Sequence, residues 1–202
     1  MSAAQTDDIV SLPEEDVLRA HMYRLLALFL ARPPDQDSLT AAAAMTGDES
    51  ELGRALHSFA LVAGKTSPET AAQEYHDLFI GVGRGELVPY GSYYLTGFLH
   101  EKPLAKLRED MGALNIERRE TVKEPEDHIA ALFEMMHGLI TGEFGHVASL
   151  DQQRTFFAAH VGSWAPHFFR DLEAAKSSVL FAALGSVGRV FMDIETVAFT
   201  MD

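Results

Sequence analysis

The stretch Glu124-Pro125-Glu126-Asp127-His128-Ile129-Ala130-Ala131-Leu132-Phe133-Glu134-Met135-Met136-His137 constrains this chain most, because its spacing fits one secondary structure only. At 100° per residue Ile129, Leu132, Phe133, Met136 and Ile140 form one apolar stripe, which needs other helices to cover it. Asp127 and Glu134 then point away from the stripe, and His128 and His137 lie on its two flanks. Pro125 suits the first helical position, and Glu126 and Asp127 suit the positive end of the helix dipole, so the helix is expected to open at Pro125.

The same period recurs along the chain. Ser11-Leu12-Pro13-Glu14 has capping-box spacing and precedes a stripe of Val17, Leu18, Met22, Leu25, Leu26 and Phe29 that ends before Pro33-Pro34. Helices are expected over 36–45 and 49–63, the second stopped by Gly64. Ser67-Pro68-Glu69 opens another, with Ala71, Ala72, Tyr75, Leu78 and Phe79 toward one side and Gly81 as its stop. Further helices are expected over 92–98 and 103–114, after the capping box Ser149-Leu150-Asp151-Gln152, and from Ser163-Trp164-Ala165-Pro166. Over 177–199, Leu180, Leu184, Val187, Phe191, Ile194 and Val197 keep helical spacing, and Gly185 and Gly188 should weaken that helix slightly. No period-two pattern and no internal repeat emerges. The expectation is an all-α fold of about nine helices in a single domain over residues 1–202, with 1–10 disordered, 81–91 a long glycine-rich loop, and a polar connector at 115–123 facing water.

Several functions are excluded by what the chain lacks. With no cysteine among 202 residues there is no disulfide, no thiolate zinc site and no cysteine nucleophile. The amino-terminal segment has neither a basic region nor an apolar core, and the longest apolar run, 25–31, is too short for a bilayer, so the expected location is the cytoplasm, without membrane insertion. A formal charge of -14 repels nucleic acid and favours a cationic partner.

The candidate chemistries thin out in turn. Gly81-Val82-Gly83-Arg84-Gly85 follows a helix, lacks a Lys-Ser or Lys-Thr, and sits in no βαβ unit, so it is not a nucleotide cradle. Glu134-Met135-Met136-His137 has the Glu-x-x-His spacing of di-iron carboxylate bundles, which makes a ferritin-like metal-dependent oxidoreductase the alternative. The only other such pair, Glu143-Phe144-Gly145-His146, lies nine residues on in a glycine-broken segment, whereas that site needs its pairs on different helices. No Gly-x-Ser-x-Gly elbow marks a serine hydrolase.

With these residues set out, the chain resembles the TorD/DmsD family, the redox-enzyme maturation chaperones of molybdoenzymes. The resemblance runs from about Val17 through Tyr75-x-x-Leu78-Phe79-x-Gly81, Pro89-Tyr90-x-Ser92-x-Tyr94, and Glu124-x-x-Asp127-His128 followed by Leu132 and Glu134-Met135-Met136. It continues over Trp164-x-Pro166-x-Phe168-Phe169 to Phe191-Met192-x-Ile194-Glu195. It implies an all-helical, non-catalytic chaperone, monomer or homodimer, without a cofactor or metal of its own. Its partner would be the twin-arginine leader and apo form of a molybdenum-containing oxidoreductase, which it would keep from export while cofactor is inserted. Tyr75, Leu78, Phe79, Pro89, Tyr90, Asp127 and His128 would bind the leader. Glu124 joins them because, like Asp127, it can accept bidentate guanidinium bonds. Family members often carry an acidic residue where this chain has Gly91, which removes one expected contact to the arginines.

Overall fold

The computed structural model describes residues 12–118 and 124–201. Among them ten α-helices follow one another: α1 (Glu14–Ala31), α2 (Gln36–Ala43), α3 (Glu51–Ala63), α4 (Pro68–Tyr75), α5 (Gly91–Thr96), α6 (Lys102–Ala113), α7 (Ile129–Thr141), α8 (Leu150–His160), α9 (Ala165–Glu173) and α10 (Leu180–Thr200). A π-helical turn, His76–Ile80, continues α4. No strand forms among the described residues, and the one β feature is an isolated antiparallel bridge between Tyr90 and His128. The expected disorder of 1–10, the capping box at Ser11 and the connector residues 119–123 lie outside the described residues.

Helix α7 is the centre. Only Glu134 is exposed, and even the flanks of the stripe, Met135 and His137, are buried. A helix apolar nearly all round has to be enclosed, and α7 packs on α1 while α10 packs on α9 and α3. Tyr23 of α1 joins the two halves, edge-on to Phe133 at 5.2 Å and to Phe191 at 4.9 Å between ring centroids. The Tyr23 hydroxyl donates to Glu195 Oε2 at 2.8 Å, and Arg19 reaches the same carboxylate through Nε at 2.7 Å and Nη2 at 3.0 Å.

Two of the expected stripes depart from the buried face at one or two positions each. Leu18 is 59 % exposed and the buried face of α1 is Ala20, Tyr23, Leu26, Ala27, Phe29 and Leu30; on α10, Ile194 and Val197 face solvent while Glu195 is fully buried. Arg19 and Tyr23 satisfy that carboxylate, and a satisfied charge can occupy a position hydropathy alone would give to a leucine. Ala72 of α4 is exposed too, and Ile116, in the connector expected to face water, is buried. Gly185 and Gly188 bring α9 and α10 together: a Cβ at Gly185 would lie 2.4 Å from the Glu173 backbone nitrogen, and one at Gly188 would lie 2.2 Å from the Phe169 ring.

The start of α7 also differs from its sequence signature. The helix begins at Ile129, not at Pro125, and its N-cap is His128, whose Nδ1 accepts from the Ala130 backbone nitrogen at 3.2 Å. Residues just before it pair with another segment instead: the Ile129 nitrogen donates to Pro89 O at 2.9 Å and the Gly91 nitrogen to Asp127 O at 2.9 Å. A turn tied to residues 89–91 outweighs the local preference for a proline-led helix.

Candidate functional site

That pairing builds the site. Asp127 is only 3 % exposed, and its Oδ2 accepts from the Ser92 backbone nitrogen at 2.7 Å. Asp127 therefore serves the first two backbone donors of α5, one with its carbonyl and one with its side chain. Asp127 does not point to solvent, as helical spacing had it, because the segment that carries it is not helical. Its Oδ1 and the Ser92 hydroxyl are buried without a partner.

His128 sits beneath Tyr90, edge-on at 5.0 Å between centroids. Burial pushes its imidazole down to about 4, against the opposing pull of Glu124 and Asp127. The ring is neutral near pH 7, and the bond from Ala130 to Nδ1 leaves the proton on Nε2. Tyr90 is half-buried and donates to exposed Glu124; burial first, and then Glu124, drives its phenol upward.

Tyr75, Leu78 and Phe79 form the adjoining group. Tyr75 and Phe79 lie edge-on at 4.9 Å, and both touch Phe181 at 5.8 Å. The Tyr75 hydroxyl donates to Leu30 O at 3.2 Å, and burial, with Glu124 nearby, pushes the phenol up to about 12. Leu78 is fully buried, Phe79 partly so, and Pro89 is buried. Of the eight residues named from sequence, Phe79, Tyr90 and Glu124 retain accessible surface of any extent. At Gly91 the space is tight: a Cβ there would stand 3.0 Å from Nε1 of the buried Trp164, so an acidic side chain would need the indole to give way by a few tenths of an ångström.

On the other side of Glu124 opens a cavity of about 530 Å³ between α1, α7 and residues 116–118. Ala27, Leu28, Met111, Ile116, Met135 and Phe144 give it an apolar floor, and Glu117, Glu124, Glu126, Glu134 and Glu143 bring five carboxylates against Arg24, Arg118 and His137. Glu126 is committed within the protein: burial would raise its carboxyl, but Arg108, at 2.8 and 3.1 Å, with Arg118 at 3.5 Å, holds it low. Glu117, Glu124, Glu134 and Glu143 are exposed.

The Glu-x-x-His pair is drawn into this wall without forming a metal centre. His137 Nδ1 is 3.0 Å from the Ala20 carbonyl and its Nε2 is 3.4 Å from Glu143, and among the described residues no three of His, Asp and Glu converge. Sequence reasoning missed Glu117 and Glu143, which line the same cavity as Glu124, because they lie on separate segments around α7 and no local spacing records that.

The chain matches the model of the nitrate reductase delta subunit family over residues 46–170. It is 27 % identical to a chaperone protein TorD of Vibrio cholerae, across 90 % of this chain and 81 % of that one. A chaperone protein TorD of Psychrobacter is 25 % identical over 74 % and 76 % of the two chains. A solved structure of a candidate redox enzyme maturation protein from Archaeoglobus fulgidus shares the fold, with a TM-score of 0.59 and 22 % identity over 93 % of this chain and 99 % of that one. This all-helical chain, matched over more than half its length, belongs to the nitrate reductase delta subunit family, as a TorD-like chaperone.

Proposed function

We propose that this chaperone binds the twin-arginine leader of an apo molybdenum-containing oxidoreductase in the cytoplasm and holds it back from export while the enzyme folds and takes up its cofactor. The observation that carries the reading is the junction of two surfaces at Tyr90 and Glu124: an acidic, apolar-floored cavity on one side and an aromatic group on the other. A leader joins two arginines to an apolar helix-forming stretch. Exposed carboxylates suit the guanidinium groups, and Phe79, Tyr90 and the cavity floor suit the rest. In this reading Tyr75, Leu78, Pro89, Asp127 and His128 shape the site from beneath, since all five are buried.

A leader peptide titrated into the protein should bind. Replacing both arginines by lysine should weaken it, because a point charge loses the bidentate fork, and replacing both by alanine should weaken it further. Equal affinity for all three peptides would remove the arginine-reading role.

A further inference from the structure

Between the two anchors of the glycine-rich loop, one side chain reaches from the tip to α5, while the backbone at 84–85 packs closely against residues 78–81. Gly81 N donates to His76 O at 2.7 Å on the near side; on the far side Leu87 N donates to Leu78 O at 2.8 Å, and the Glu86 carboxylate accepts from the Lys176 and Ser177 nitrogens at 3.0 and 3.2 Å. Val82 is wholly exposed, and a Cβ on Gly83, at φ +90°, would meet nothing within 4 Å. Arg84, itself exposed, lays its guanidinium over the ring of Tyr93 at 5.0 Å from the centroid and donates to the Tyr93 hydroxyl. Tyr93 is half-buried on α5, three residues after Tyr90, which holds Glu124.

We propose that Tyr93 is a seat for a guanidinium of the incoming peptide and that Arg84 occupies it in the free protein. The proposal rests on the arginine-reading function above. An aromatic face already engaged by an arginine has demonstrated the chemistry it selects. The side chain of Arg84 is exposed, so it can leave the ring while the backbone at 84–85 stays packed against residues 78–81. An arginine from the peptide would replace it contact for contact, which makes Arg84 a self-competitor that sets the threshold for binding. The exchange is close to neutral in energy, so the affinity of the seat for a guanidinium shows only when Arg84 is removed.

The test is a double-mutant cycle read with a synthetic peptide carrying two adjacent arginines and a leucine-rich stretch. Arg84→Gln should bind about two- to fivefold more tightly than the wild type, the range of an exposed cation–π contact. Tyr93→Leu alone should bind like the wild type, because seat and competitor vanish together. Arg84→Gln with Tyr93→Leu should lose the gain. Lys65→Gln makes the same change in net charge and should have no effect. A gain shared by Lys65→Gln, or one that survives Tyr93→Leu, would make the effect general electrostatics and overturn the seat, as would unchanged affinity in Arg84→Gln. Failure of the wild type to bind the peptide at all would instead overturn the arginine-reading function on which the seat depends.

Discussion

Asp127 and Glu124 are two carboxylates three residues apart with opposite occupations. Asp127 is buried and its Oδ2 serves α5, so Asp127→Ala should destabilise the fold by about 1 to 3 kcal/mol, the cost of leaving the Ser92 backbone donor unpaired. Glu124 is exposed, and Glu124→Gln should change stability by no more than about 0.5 kcal/mol while weakening leader binding by about 1.5 to 3 kcal/mol. Urea melts beside peptide titrations of both variants separate these roles. His128 adds a dependence on pH. Its folded-state value is depressed to about 4 from 6.5, so the unfolded chain binds the extra proton between them. The stability it contributes is complete above that window and is lost as pH falls through it to about 4, on the order of 3 kcal/mol in all. His128→Asn keeps an N-cap side chain without the titration, and should flatten the fall in stability between pH 6.5 and 4 relative to the wild type.

Among the helices, contact between α9 and α10 depends on glycines that helix propensity alone would replace. Gly185→Ala would push a methyl into the Glu173 backbone and should cost about 1 to 3 kcal/mol, whereas Gly112→Ala in α6, with open space around it, should stabilise by about 0.5 to 1 kcal/mol. Thermal or urea unfolding of the two variants should therefore shift in opposite directions. The helices themselves were legible in the sequence, because periodicity, Ser149-Leu150-Asp151-Gln152, Ser67-Pro68 and Gly64 are local signals that the fold leaves intact. The exposure of Leu18, Ile194 and Val197 was not, since the place beside them is taken by a part-buried ion pair, Arg19 with Glu195, whose members are far apart in sequence. The geometry of the candidate site was half legible for the same reason. Pro89, Tyr90, Glu124, Asp127 and His128 do come together, but the non-local pairing of 89–91 with 127–129 turns Asp127 inward and moves the helix start to Ile129. The charge on Glu126, which looked suited to a helix dipole, goes to Arg108 and Arg118.

For the molecule as a whole, a charge of -14 draws any cationic peptide, and at a Debye length of about 8 Å in physiological salt this attraction acts mainly on the encounter. Selectivity must then come from the local surface that joins the acidic cavity to Tyr90 and Glu124. The most direct measurement replaces the residue after the second leader arginine with a photoreactive phenylalanine derivative, cross-links the peptide to the intact protein, and maps the attachment by mass spectrometry. The account predicts attachment within residues 79–93 or on the cavity wall at Glu117, Glu124, Met135 and Glu143, abolished when both arginines are alanine. Attachment spread over α8 and the exposed face of α10, or unchanged in the arginine-free peptide, would contradict it.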